Sequence, residues 1–364
     1  MKIKLPNLLD TNKLIPFNLK RINVPELERT PIAVELHWTS DCNYDCMHCS
    51  YGSRRESKGR LTDEQISDLI DDLISMKVNA VYLSGGGEPT LVKKWPDYAS
   101  KLLDNGIDVS LITNGIALLN KHYEILRRMN YIAISIYSTD ESEYKKITDS
   151  NKFENQWTIA KRIKSSDSRV IIGARCVINK INYKNIINIY HAAKQSGFDY
   201  LIFIPAVDYE GRGIDLSEQE KIYLQNLIKK NETLFDNDFT NIKDVFFRRV
   251  NHYSLDEYRS SREQTKIGCT AVNIRSNAFV NYCGGVWLCQ PHIGNKIYSI
   301  GSLNDSRFAQ IWNDERHISV NKLLNKNYQA GLCSNCRSIA FNKKVEDFSA
   351  SKIEQLDIEI DPFI

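Results

Sequence analysis

The chain has 364 residues, and its 48 basic and 45 acidic side chains leave a formal charge of only +3, with the signs mixed along its length. That balance gives no electrostatic footprint for nucleic acid, and no apolar run approaches the roughly 20 residues that span a bilayer, so neither partner is expected. Hydrophobic residues at 42% and charged residues at 26% suit a globular chain with a real core, long enough for a barrel-like domain plus a smaller one.

The N-terminus, Met1 to Pro6, lacks the apolar core of a signal peptide, so the cytoplasm is the expected location. Residues 1–31, with Pro6, Pro16 and Pro25, read as an extended arm. From residue 32 short β-branched runs alternate with amphipathic stretches, the rhythm of parallel strands joined by helical crossovers. Strands are expected to begin near Ala33, Asn79, Ile107, Tyr131, Arg169 and Asp199. Between the first two, Thr62 and Gln65 have the spacing of a capping box, and Ile66, Leu69, Ile70, Leu73 and Ile74 form one helical face. Residues 32–214 therefore read as a run of six βα units, 215–262 as a helical bridge, and 263–364 as a second domain of short strands and turns. Six βα units are too few to close an eight-stranded barrel.

Cysteine usage is unusual. Seven of nine cysteines fall into metal-type groups, which argues for thiolate ligands in a reducing compartment rather than disulfides. Cys42, Cys46 and Cys49 follow the first strand in the run Asp41-Cys42-Asn43-Tyr44-Asp45-Cys46-Met47-His48-Cys49. Thiolates select zinc or iron–sulfur clusters, and a structural zinc site closes with four ligands, so this trio leaves one position open. Zinc completed by His48 or a distant cysteine is the alternative.

The C-x3-C-x2-C spacing resembles that of the radical S-adenosylmethionine (radical SAM) enzymes. The resemblance implies a partial (β/α)6 TIM-like barrel of the α/β class, a [4Fe–4S] cluster on Cys42, Cys46 and Cys49, and S-adenosylmethionine chelated by the open iron. The reduced cluster then cleaves the sulfonium to a 5′-deoxyadenosyl radical. His48 stands where the family packs an aromatic near adenine. Gly85-Gly86-Gly87-Glu88-Pro89, after the second strand, is similar to the family's GGEP element, so Gly86, Gly87 and Glu88 are expected at the methionine amino group; a tight turn is the other reading. Thr113 and Asn114 at the end of the third strand, and Ser135 in the fourth, match positions the family uses around the cofactor. Arg175 could reach its carboxylate, and because a strand alternates, Arg175 and Cys176 cannot both face the barrel interior. Arg175 is favoured. Gly211-Arg212-Gly213 is similar to a Gly-Arg element of relatives with an extra cluster domain.

Cys269, Gly284 and Cys289, followed by Cys333 and Cys336, resemble the opening of a SPASM domain and its shortened Twitch form. The resemblance implies a small α+β cluster-binding domain in which a hairpin carries the first two ligands and the later pair closes one auxiliary [4Fe–4S] cluster; no cysteine after Cys336 supplies a second. Zinc would satisfy the same four thiolates. Cys283, expected in a hairpin turn, and Cys176 are candidate hydrogen-atom donors or bystanders. Tyr82, Tyr137 and Tyr209 fall near strand ends and are candidates to line a pocket, though core packing is the commoner role. His122, His191, His252 and His317 read as surface or helix residues.

The class of chemistry implied is hydrogen abstraction, with a flavodoxin- or ferredoxin-type electron donor. Three functions follow. The first is dehydrogenation or epimerisation of a small polar natural-product intermediate such as a sugar or aminocyclitol, favoured by one auxiliary cluster and an arm too short for a peptide-recognition module. The second is maturation of a ribosomal peptide, and the third a non-catalytic metal scaffold.

Overall fold

The computed structural model describes residues 18, 20, 24–52, 58–164, 170–206, 208, 211–235, 239–242, 268–333, 342, 345 and 346. Cys336, Tyr209 and His252, and most of the expected arm, lie outside them. The chain divides into two compact units: Met1–Ser40 with Lys58–Ser110 and Leu255–Ile364, and Asp41–Ser57 with Leu111–Ser254. Strand β3 (Asp108–Thr113) begins in the first and ends in the second.

The first unit starts at β1 (Ala33–His37), whose Val34 and Leu36 are wholly buried. Helix α1 (Asp63–Ser75) follows, opened by the expected capping box: Gln65 N donates to Thr62 Oγ1 at 3.1 Å and Thr62 N to Gln65 Oε1 at 3.0 Å. These two bonds satisfy amides that a helix start leaves without partners. Its apolar face buries Ile66, Leu69, Ile70 and Leu73, each worth about 1.5–3 kcal/mol of transfer free energy. Strand β2 (Ala80–Leu83) pairs in parallel with β1, Glu35 facing Tyr82, and α2 (Trp95–Asp104) buries Trp95, Tyr98 and Leu102.

The second unit holds the later βα units: α3 (Tyr123–Arg128), β4 (Tyr131–Ile136), α4 (Glu141–Thr148), α5 (Asn155–Ile163), β5 (Ile171–Ile178), α6 (Ile186–Gln195) and β6 (Tyr200–Pro205). Strand β5 pairs in parallel with both β4 and β6. Ile172, Ala174, Cys176 and Ile178 are wholly buried while Ile171, Arg175 and Val177 are half-buried, the period-two pattern of a strand with one covered face. All six strands thus start within two residues of their expected places. The expected bridge begins as a helix, α7 (Glu218–Lys230), capped by Ser217 accepting from Glu220 N, and continues into α8 (Glu232–Phe235).

The C-terminal region adds α9 (Thr270–Asn273), β7 (Asn277–Asn281), β8 (Gly285–Trp287), β9 (Ser299–Ser302), α10 (Phe308–Asn313) and α11 (Glu315–Gln329) to the first unit. Strand β7 pairs in parallel with β1, Ala33 against Asn277 through His37 against Asn281, so the order in this unit is β2-β1-β7-β8-β9. The sequence gives these strands no βαβ rhythm, and the parallel pairing is a tertiary result. Two polar clusters tie the added helices in place. Arg307 grips Asp72 of α1 through Nη2 at 2.7 Å and Nε at 3.2 Å, and Ala309 N donates to the same carboxylate at 3.2 Å. Arg275 is 1% exposed, donates to the carbonyls of Glu26 and Trp312, and lies 5.0 Å above the Trp312 ring. His317, expected at the surface or on a helix, is on α11 but wholly buried beside that guanidinium.

Among the described residues no helix is long and apolar enough to cross a membrane.

Candidate active site

The cysteine loop is held from below by the end of a helix. Asp45 N donates to Thr148 O at 3.0 Å and Met47 N to Ile147 O at 2.9 Å, so carbonyls left open at the C-terminus of α4 are closed by the loop's own backbone. Cys49 N turns back on Cys46 O at 3.0 Å, and Arg212 Nη2 donates to Cys49 O at 3.0 Å. The Gly-Arg-Gly element therefore clasps the loop's last cysteine. Under the loop, Tyr44, Tyr137, Tyr144 and Ile147 form a buried cluster on which Cys42, Cys46 and Met47 pack. The hydroxyls of Tyr44 and Tyr144 share a short hydrogen bond, and Cys46 Sγ lies 3.7 Å from the Tyr137 phenol oxygen. Tyr137 thus has the packing role expected of it and a polar contact the sequence did not signal.

His48 sits 5.8 Å from the Tyr137 ring, centroid to centroid. Burial, reinforced by the Arg212 charge, lowers its pKa to about 4, so the imidazole is neutral near pH 7, and its Nδ1 is buried without a partner. Asn114 donates to Asn43 Oδ1 at 2.7 Å and accepts from Ile116 N at 3.0 Å, while Thr113 Oγ1 accepts from Gly115 N at 2.9 Å. These side chains are spent in part on a turn and on bracing the loop. Ser135 and Arg175 are neighbours in the β4–β5 register and both half-buried, whereas Cys176 points to the opposite, covered face. Its thiol donates to Tyr137 O at 3.9 Å and accepts from Asn182 Nδ2 at 3.7 Å, and burial raises its pKa.

In the first unit, Gly85 to Glu88 follow β2 and lie against the end of β1. Gly86 has φ +77°, and a Cβ there would stand 2.6 Å from Thr39 O; Gly87 N donates to that same oxygen at 2.6 Å. A Cβ on Gly85 would meet His37 Nε2 at 2.9 Å. Glu88 is 3% exposed and its carboxylate accepts from Thr90 N at 3.1 Å, capping the turn Pro89–Leu91. The sequence did not single out His37, which is buried and 2.8 Å from Glu35 Oε1. The only signal was a glutamate and a histidine two apart in an apolar strand.

Cys269 precedes α9 and Cys289 follows β8, so the β7–β8 hairpin falls between them. Cys283 sits in its turn, exposed, with its amide on Asn281 Oδ1 at 3.1 Å; its sulfur would lie 3.6 Å from a Cβ on Gly59. Cys333 ends the described run after α11.

Residues 36–193 match the model of the Radical SAM superfamily, and residues 269–337 that of the SPASM iron–sulfur cluster-binding domain. The chain thus carries a radical SAM domain followed by a SPASM domain. It is 23% identical to the Fe-coproporphyrin III synthase of Methanosarcina barkeri over 85% of this chain and 81% of that one. To the mycofactocin maturase MftC of Mycolicibacterium smegmatis it is 22% identical, over 86% and 78%. Streptococcus suis SuiB bound to its precursor peptide SuiA shares the fold, with a TM-score of 0.62 at 15% identity over 90% of this chain and 75% of SuiB.

A radical SAM domain implies S-adenosylmethionine and a [4Fe–4S] cluster, and a SPASM domain an auxiliary cluster. The donor set suits both. Cys42, Cys46, Cys49, Cys269, Cys289 and Cys333 are half-buried cysteines. Among the described residues no three His, Cys, Asp or Glu side chains gather as if around one metal ion.

Proposed function

We propose that this radical SAM protein abstracts a hydrogen atom from a peptide substrate and acts as a maturase. The observation that carries the substrate class is similarity along most of the chain to a protein named as a maturase, joined to the fold shared with a peptide-bound enzyme. Bound together, the reduced cluster and S-adenosylmethionine supply the 5′-deoxyadenosyl radical. The chain's residues orient and tune. Cys42, Cys46 and Cys49 would hold the cluster on a loop fixed by α4 and Arg212. Glu88 and the Gly86-Gly87 backbone would receive the methionine amino group, Arg175 and Ser135 would meet the cofactor from the half-buried row, and His48 would pack at the adenine. Cys269, Cys289, Cys333 and Cys336 would hold the auxiliary cluster, which would supply electron-transfer chemistry, and a flavodoxin- or ferredoxin-type protein would be the electron donor.

Cys283, exposed in its turn, is the remaining candidate for returning a hydrogen atom; Cys176, facing the covered side, is not retained. A second reading, oxidation or epimerisation of a small molecule, is favoured by the similarity to Fe-coproporphyrin III synthase.

Anaerobic incubation with dithionite and S-adenosylmethionine should release 5′-deoxyadenosine, and Cys42→Ala, Cys46→Ala and Cys49→Ala should each abolish it. Retained release in those variants would refute the site. Iron near eight per chain follows from two four-iron clusters, and a mass change in a short peptide encoded beside this gene would favour the maturase over the small-molecule reading.

A further inference from the structure

We propose that the Tyr137 hydroxyl donates a hydrogen bond to the Cys46 sulfur when that sulfur is a cluster ligand, raising the reduction potential of the N-terminal cluster. This rests on the reading of Cys46 as a ligand.

The geometry is specific. The phenol oxygen is 3.7 Å from Cys46 Sγ, within hydrogen-bond range for sulfur, and Tyr137 is 5% exposed at the end of β4. A tyrosine with an ordinary pKa near 10 keeps its proton at neutral pH, and a thiolate can only accept, so the bond has one direction once the cluster is bound. The ring is immobilised on several sides by Tyr44 at 5.9 Å, Tyr144 at 5.8 Å and His48 at 5.8 Å between centroids. The loop bearing Cys46 is pinned on both sides of it by Asp45 N and Met47 N on the end of α4. Backbone hydrogen bonds thus hold the cysteine side of the contact, and ring packing holds the tyrosine side.

Hydrogen bonds to cluster sulfurs stabilise the reduced, more negative state and are among the levers that set such potentials. Burial alone would push this potential down, because adding an electron to a cluster in apolar surroundings is costly. The Tyr137 bond offsets part of that cost at one of only three protein ligands. Tyr137 is thus a positioning residue that acts through the cluster and need not touch substrate.

The test uses the anaerobically reconstituted enzyme. In a redox titration followed by electron paramagnetic resonance, the N-terminal cluster is identified as the signal that changes when S-adenosylmethionine is added. Tyr137→Phe keeps the ring and removes only the hydroxyl; its midpoint potential should move to a more negative value with iron content unchanged. An unchanged potential in Tyr137→Phe overturns the proposal. If that variant fails to hold its cluster, the wild-type enzyme decides: after exchange into D2O, electron–nuclear double resonance should find an exchangeable deuteron coupled to this cluster, and its absence overturns the proposal. Absence of any signal responsive to S-adenosylmethionine would instead defeat the ligand reading itself.

Discussion

Gly86 shows how one backbone angle and one distance decide what a residue must be. Gly86 and Gly106 share φ +77°, yet a Cβ on Gly106 would meet nothing within 4 Å while one on Gly86 would press on Thr39 O at 2.6 Å. Gly106→Ala therefore incurs only the strain of a left-handed alanine, about 1 kcal/mol, whereas Gly86→Ala must also push apart two backbones joined by the Gly87–Thr39 bond. Anaerobic urea unfolding should show Gly86→Ala less stable than Gly106→Ala by about 1–3 kcal/mol. Equal midpoints would mean that the close approach is not tight. The triplet of glycines was visible in the sequence as a place of close approach. What approaches it, the end of β1 and the His37 ring, was not, because those groups are some 50 residues earlier in the chain and a motif carries no record of its distant neighbours.

At the scale of elements, the helix α1 was legible in full because its determinants are local: a capping box and an apolar face at spacings of three and four. Its one buried charge was not. Asp72 lies among the buried residues of the helix because Arg307, 235 residues later, offers it a fork of two donors. That pairing also keeps the Arg307 pKa above its ordinary value, chiefly through the Asp72 hydrogen bond. Arg307 is nearly half exposed, so solvent screens the pair and its worth is modest. Asp72→Asn should cost about 1 kcal/mol, and Arg307→Lys, which keeps the charge but loses the planar fork, about as much. Unfolding midpoints of both variants check this; a stable Arg307→Lys would show that charge alone suffices. The cysteine loop follows the same logic. Its thiolate spacing is written in nine residues, but its support comes from the end of α4 about 100 residues on, from Tyr137 and from Arg212.

For the whole molecule, a share of the acid sensitivity follows from His317, besides that of His48. Burial first, and then the Arg275 charge, lower the His317 pKa to about 3. Below its ordinary value of about 6.5 the unfolded chain takes up a proton that the folded chain refuses. The unfolded state then binds more protons, so stability falls as pH drops from 6.5 toward 3, by at most about 1.4 kcal/mol per pH unit from this group. Between pH 7.5 and 5.5 the anaerobic urea midpoint of the wild type should fall more than that of His317→Asn, which has no proton to gain. Parallel midpoints would show that His317 does not carry the effect. In the sequence this residue was one of several scattered histidines, because burial by Trp312 and Arg275 depends on how α10 and α11 pack.

The sequence by itself determined the class of chemistry and the order of the first six strands. Both are encoded over short spans, in thiolate spacing, in glycine runs and in hydrophobic periodicity, where cause and effect are neighbours along the chain. It also separated Arg175 from Cys176, since alternation in a strand requires it, although only packing decided that the cysteine takes the covered face. Tertiary structure decided the rest: β7 beside β1, the Arg307 clip, the neutral His48 and the Tyr137–Cys46 contact. Each joins residues tens to hundreds of positions apart. Such contacts depend on loop closure and on the burial of many groups at once, and no window of sequence holds that information.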